Sequence, residues 1–318
     1  MHYDVFNGDA DGIFALHQLR LARPVPEAQL ITGVKRDIGL LKKIPSDSSA
    51  AISVFDISLD KNREELTQLL DNGSRVLYID HHFAGAIPSS GLLEYHIEPS
   101  AEQCTSLIVN ELIGGIYPGW AVCGAFGDNL HEQAAALAAE SGLTDNETEC
   151  LREIGELFNY NGYGAQIKDL LFHPADLYRA VQPFSDPRDF FAETDLVLQL
   201  KDGYEKDMGR TANIPDISEN TPNRIFMFPA ASWARRIAGV FSNLKAREKK
   251  DGAHAVIVEN DDHTLQISVR APLVRKENAD TLCRNFPTGG GRAAAAGINK
   301  LPADMLDEFI QAFNTIYS

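Results

Sequence analysis

The chain has 318 residues, of which 44% are hydrophobic, enough for two cores and hence two domains. It carries 45 acidic against 29 basic residues, a net charge of −16; this excludes a broad basic surface for long nucleic acid but not a small anionic ligand held by a few local cations. There is no apolar run of about 18 residues and no basic, apolar leader, and the four cysteines (Cys104, Cys123, Cys150, Cys283) form no C-x-x-C pair, so reduced thiols in a cytoplasmic protein with no membrane span are expected.

The first half alternates strand and helix. A strand at 3–6 leads through a Gly-Asp turn into a helix over 11–22. Leu30–Val34 reads as a second strand and Ala51–Phe55 as a third. A polar-surfaced helix at 60–72 ends on the stop signal Asp71-Asn72-Gly73. Val76–Ile79 is a fourth strand. A helix at 102–113 is expected to start on Ser100, with Gln103 completing the cap. Trp120–Phe126 reads as a further strand, followed by an Ala-rich helix at 131–141. The alternation predicts a largely parallel sheet covered by helices.

Residues 145–205 read as a mostly helical connector with a break around Asn159–Gly164, and 202–223 as a boundary or loop. Strands are expected at Arg224–Phe228, Ala255–Glu259 and Leu265–Arg270, and helices at 230–241, 277–285 and 303–316. The expected division is 1–200 and 220–318.

Four acid and histidine clusters stand at the ends of the early apolar runs: Asn7-Gly8-Asp9-Ala10-Asp11-Gly12, then Asp56, then Asp80-His81-His82, then Asp128-Asn129. Each alone reads equally well as a helix cap or a turn. Together they put carboxylates and imidazoles where open α/β sheets build their sites. Carboxylate oxygens with one or two imidazoles suit Mn²⁺ or Mg²⁺ better than a soft metal. Such a centre points to hydrolysis of a phosphate ester or anhydride.

These clusters, with Gly289-Gly290-Gly291-Arg292-Ala293-Ala294-Ala295-Ala296-Gly297 near the C-terminus, resemble the DHH phosphoesterase superfamily, in its branch with a C-terminal DHHA1 domain. The resemblance covers essentially the whole chain. It implies a catalytic domain, a smaller substrate-binding α/β domain and a cleft between them. It implies one Mn²⁺ (Mg²⁺ being possible) held by Asp9, Asp56, His81 and Asp128, with Asp80 orienting a histidine and His82 facing substrate. The family's other metal is often held through H-x-x-x-D-x-D, where this chain has Tyr3, Asn7 and Asp9. The resemblance therefore implies a weakened second site, drawing on Asn7, on Asp56 as a bridge and on Asp11 swinging in.

On the substrate side, the resemblance implies Gly289, Gly290, Gly291, Arg292 and Arg270 as the binding set, with Arg292 where the family has histidine. Arg235 and Arg236 read as surface charges. Thr105 or Ser106 is open between a phosphate contact and a packing role. His17, His96, His131, His173, His254 and His263 show no ligand spacing. The expected reaction is cleavage of short linear oligonucleotides or dinucleotides such as pGpG to mononucleotides. The alternatives are a phosphatase of a small phosphoanhydride or phosphonucleotide and a non-catalytic nucleotide sensor. Monomer and homodimer are both compatible with the sequence.

Overall fold

The computed structural model describes residues 1–45, 49–218 and 222–318. The chain divides into two compact units, Met1–Asp202 and Gly203–Ser318.

The first unit is built on five parallel strands: β1 (His2–Phe6), β2 (Gln29–Thr32), β3 (Ala51–Phe55), β4 (Arg75–Asp80) and β5 (Leu93–Ile97). Their order is β2-β1-β3-β4-β5. After β1 the chain moves outward to β2, then returns to lay β3 on the other side of β1. The order thus reverses between β1 and β3, and a crevice opens at the carboxyl ends of those two strands. Asp9 follows β1 and Asp56 follows β3, so the topology alone puts both acids there.

Helix α1 (Ala10–Ala22) starts at this crevice, with Asp9 as its N-cap accepting from the Gly12 N–H at 3.1 Å. Residues Ala10–Leu19 of α1 are all buried, as befits a helix covered on every side. Helix α2 is Arg63–Asp71, and Gly73 ends it in the left-handed conformation (φ +83°). Helix α3 is Thr105–Leu112. It starts after the expected Ser100 cap, because Asp11 holds its first amides (below).

The largest departure is at Trp120–Phe126, which is helix α4 (Pro118–Gly127) and not a strand. Pro118 stands at the first helical position, and Trp120–Gly127 are all buried. A segment apolar on all sides has no readable period, so a buried helix and a buried strand look alike in sequence. Helices α5 (His131–Glu140), α6 (Asp145–Gly162), α7 (Pro174–Val181) and α8 (Pro187–Glu193) complete the unit. A Thr144–Glu147 capping box opens α6. The expected break at Asn159–Gly164 begins only after Gly162.

Helix α9 (Leu196–Thr211) contains the division between the units, so residues 202–211 are helix where a loop was expected. Residues 219–221 of that expected loop lie outside the described residues. The second unit carries a mixed sheet in the order β6-β7-β8-β10-β9, from β6 (Arg224–Phe228), β7 (His254–Glu259), β8 (Leu265–Arg270), β9 (Gly289–Arg292) and β10 (Ala295–Leu301). Helix α10 (Ser232–Glu248) packs Phe241 against Phe226 and Phe228 on one face. Helices α11 (Ala279–Arg284) and α12 (Leu306–Ile316) close the other over Ile257, Ile267 and Ile298, with Phe309 and Phe313. Among the described residues no helix is long and apolar enough to cross a membrane.

Candidate metal centre

Asp56 leaves the end of β3 with φ +57°, a left-handed conformation uncommon for a residue other than glycine. The turn is anchored by its N–H donating to Ile79 O at 3.1 Å. Strain of this kind concentrates at functional sites. The Asp56 carboxylate is buried and accepts from Thr105 Oγ1 at 3.2 Å.

His81 and His82 follow β4. His81 Nδ1 lies 2.9 Å from Gln103 O. A carbonyl can only accept, so Nδ1 carries the proton, and in the neutral ring Nε2 is a bare lone pair. That lone pair faces Asp56 Oδ1 at 3.4 Å and Asp128 Oδ2 at 3.8 Å. Asp128 is the C-cap of α4, so its cluster is delivered by a helix end and not by a strand. His82 Nδ1 is held by Asp80 Oδ1 at 2.7 Å, and its side chain is 41% exposed. Burial works against its charge, but the Asp80 hydrogen bond outweighs it and raises the His82 pKa.

Asp9 and Asp11 part company. Asp9 Oδ1 takes the Gly12 N–H, and Asp9 Oδ2 lies 2.6 Å from Lys35 Nζ. Asp11, expected to swing toward a metal, is fixed instead at the N-terminus of α3. Its Oδ2 accepts from Thr105 N at 2.8 Å and its Oδ1 from Ser106 N at 2.7 Å. Ser106 Oγ donates back to Asp11 O at 2.9 Å. Thr105 and Ser106 thus position the acids.

Asn7 is buried at the end of β1, and its Nδ2 donates to Lys35 O at 3.2 Å. Its Oδ1 is buried with no hydrogen-bond partner among the described residues. Tyr3 is packed in the core of the first unit and sends its hydroxyl to Met1 Sδ.

Sequence reasoning missed Lys35. It sits in the loop after β2, in a Lys-Arg-Asp run that resembles any solvated turn. The fold turns its ammonium into the acid cluster, 2.6 Å from Asp9 Oδ2, 3.6 Å from Asp128 Oδ1 and 2.8 Å from Asn159 Oδ1. Burial opposes its charge, but Asp9 above all raises its pKa well above the ordinary lysine range. Reciprocally, Asp9 is lowered despite its burial, chiefly by Lys35. Asp56 is pushed well up, by burial first and then by Asp9 and Asp11.

These residues fit a divalent cation. Two carboxylate oxygens and an imidazole lone pair face one another, and Asp56 is raised by burial first and then by the neighbouring carboxylates of Asp9 and Asp11. Ligand atoms of Asp56, His81 and His82 lie within 4.8 Å of one another. Oxygen with one or two imidazoles is a hard donor set suited to Mn²⁺ or Mg²⁺.

In the second unit the β-register does the positioning. Arg270 on β8 and Arg292 on β9 both pair with Ala295 of β10, so two guanidinium stems flank one position on one face of the sheet. Arg270 Nε donates to Asn243 Oδ1 at 2.8 Å, whereas the side chain of Arg292 is exposed. The three glycines are unequal. A Cβ on Gly289 would stand 1.7 Å from Cys283 O, and one on Gly291 would stand 2.5 Å from Ala296 Cα. Gly290 faces open space. Gly289 is therefore demanded by the close approach of α11, and Gly291 by the β9–β10 hairpin. Arg235 and Arg236 are buried and not on the surface; Arg236 pairs with Asp207 at 2.8 Å, and Arg235 with Asp261 at 3.3 Å.

Fold and centre together define a doubly wound α/β protein with an acid–histidine cluster at its switch point. No protein-family model and no curated protein matches the sequence. Solved structures do. A DHH-domain structure described as a member of a family of ribosomal proteins aligns with a TM-score of 0.69 at 16% identity, over 99% of this chain and 86% of the other. An exonuclease RecJ bound to manganese aligns at 0.66 and 16% identity, over 99% and 89%. The pGpG-specific phosphodiesterase PggH from Vibrio cholerae aligns at 0.53 and 14% identity, over 100% and 99%. The chain has the fold of the DHH-domain proteins along essentially its whole length.

Proposed function

We propose that the protein is a divalent-metal-dependent phosphoesterase that cleaves short linear oligonucleotides or dinucleotides such as pGpG to mononucleotides. The observation that carries this reading is the His81 lone pair that faces Asp56 Oδ1 at 3.4 Å and Asp128 Oδ2 at 3.8 Å. Solved structures of this fold include an exonuclease bound to manganese and a pGpG-specific phosphodiesterase, which supports the choice of reaction. The acidic surface favours short substrates over long polymers.

In this reading Asp56, His81 and Asp128, with Asp9, hold the cation. When bound, it supplies a Lewis acid that polarises a phosphoryl oxygen and lowers the pKa of water. Asp80 fixes the ring of His82, whose other nitrogen is left to reach a phosphate or leaving oxygen. Arg270, Arg292 and the Gly289–Gly291 backbone are the proposed binding set for the anionic substrate. Arg292 offers a planar fork of N–H donors that can grip a phosphate at two points, where the family pattern has a histidine.

The test is product analysis with purified protein and Mn²⁺, offering pGpG, a pentanucleotide, cyclic di-GMP, pyrophosphate and polyphosphate side by side. Mononucleotide release from the linear substrates, lost in His81→Ala, is expected. Turnover of polyphosphate alone replaces the reading with a phosphatase. Tight nucleotide binding without turnover replaces it with a sensor.

A further inference from the structure

We propose that this centre is built for one divalent cation, and that the Lys35 ammonium permanently holds the place a second would take. The inference rests on the metal-dependent reading above and refines it.

Three oxygens surround Lys35 Nζ: Asp9 Oδ2 at 2.6 Å, Asn159 Oδ1 at 2.8 Å and Asp128 Oδ1 at 3.6 Å. Two carboxylates and an amide carbonyl are the donor set of a hard cation. Here a lysine head group takes it, a compact point charge with three N–H donors on a flexible stem.

The lysine is fixed at both ends. Its N–H donates to Gly162 O at 2.9 Å, just beyond Asn159 on α6. Its carbonyl accepts from Asn7 Nδ2 at 3.2 Å. The Tyr163 ring lies 5.5 Å from Nζ. The Asn7 contact explains a departure that otherwise looks like decay. A carboxylate at position 7 has no N–H to give, and would set a negative charge against the Lys35 carbonyl. Asn7 and Lys35 are therefore one device: the amide that replaces an acid anchors the backbone of the residue that replaces a metal.

Asp128 joins the two positions. Its Oδ1 faces Lys35 Nζ, while its Oδ2 faces His81 Nε2 at 3.8 Å, where the divalent ion belongs. The charges agree with this count. Asp9, Asp56 and Asp128 carry three negative charges, which one divalent cation and one ammonium balance, while Asp11 is held apart by the α3 amides. The ammonium also cannot be lost by dilution or chelation, so half of the cationic centre is present in every folded molecule.

The experiment is Mn²⁺ stoichiometry on the metal-stripped full chain without substrate, by calorimetry and by electron paramagnetic resonance. Wild type is expected to bind one Mn²⁺ per chain, with the spectrum of an isolated ion. Lys35→Arg keeps the charge and is expected to bind one. Lys35→Ala is expected to bind two, with an exchange-coupled spectrum. Lys35→Met, which keeps the stem, carries the same expectation should Lys35→Ala fail to fold. Two ions, or none, in wild type would overturn the proposal. So would folded Lys35→Ala and Lys35→Met variants that stay at one. Turnover on the same samples separates this inference from the functional reading. Hydrolysis by a wild type holding two ions sinks the inference and leaves the enzyme. One ion in wild type, two in Lys35→Ala and no hydrolysis by either sinks the enzyme and leaves the inference.

Discussion

Asp9 and Asp11 stand two residues apart in one turn, yet they perform different tasks because their surroundings differ. Asp9 meets an ammonium; Asp11 meets the first two amides of α3. Asp11→Ala would leave the Thr105 and Ser106 N–H groups buried without acceptors. It is expected to cost about 3 kcal/mol of stability, read as a lower urea midpoint. Asp11→Asn keeps one acceptor oxygen and is expected to lose about half as much. Had Asp11 been a metal ligand, both variants would weaken Mn²⁺ binding far more than they weaken the fold. Nothing in the run Asp-Ala-Asp-Gly separates the two roles, because both residues are acids before a helix. Lys35 was equally hidden. Its chemistry depends on Gly162 and Asn159, more than a hundred positions away, and a lone lysine between Val34 and Arg36 carries no periodic or spacing signal. The Asp80-His81-His82 cluster was legible because an uncommon triplet stands at the end of an apolar run.

At the scale of elements, the close approach of α4 and α6 shapes the centre, since α4 delivers Asp128 and α6 delivers Asn159. A Cβ on Gly155 of α6 would lie 2.1 Å from Cys123 O of α4, a contact with backbone that no rotamer can relieve. In an exposed helix Gly→Ala stabilises by about 1 kcal/mol. Here the sign is expected to reverse. Gly155→Ala should cost about 2 kcal/mol, or about 6 °C in Tm, as the helices are forced apart, and Asp128 should move with α4, weakening Mn²⁺ binding. A differential scan of the metal-free chain checks the first effect and a Mn²⁺ titration the second. The β/α alternation was legible because β1, β3 and β4 are short apolar runs punctuated by turn residues. α4 was not, since burial on every side erases its period. β5 was missed for the opposite reason. It lies at the sheet edge with Tyr95 half exposed, and Leu-Glu-Tyr-His-Ile carries too little hydrophobicity to stand out. The β9–β10 hairpin reads in sequence as a glycine-rich turn because strand pairing, not side-chain pattern, defines it.

At the scale of the whole molecule, each unit keeps a buried histidine neutral, and this sets how the protein meets acid. His17 of α1 lies against Trp120 at 4.7 Å between ring centroids and donates Nε2–H to Phe184 O at 2.8 Å. Burial pulls its pKa from 6.5 down to about 4. His254, buried on β7, is pulled to about 4 by burial and then by Arg224. Between those values the unfolded chain binds protons that the folded chain refuses. The stability contributed by each neutral histidine is therefore complete above pH 6.5 and is lost as the pH falls toward 4, by up to about 1.4 kcal/mol per pH unit. The two histidines lie in different units, so each unit carries one such term of its own. His17→Gln retains a donor for Phe184 O and cannot titrate. Its unfolding free energy is expected to fall less steeply with acid than wild type, by about 1.4 kcal/mol per pH unit from about pH 6 to about pH 5. Urea unfolding at a series of pH values, with chelator present so that metal loss does not contribute, measures the two slopes. Carboxylates common to both proteins cancel in the difference. Parallel slopes would mean that His17 is protonated in the folded state and that the Trp120 pocket admits the charge.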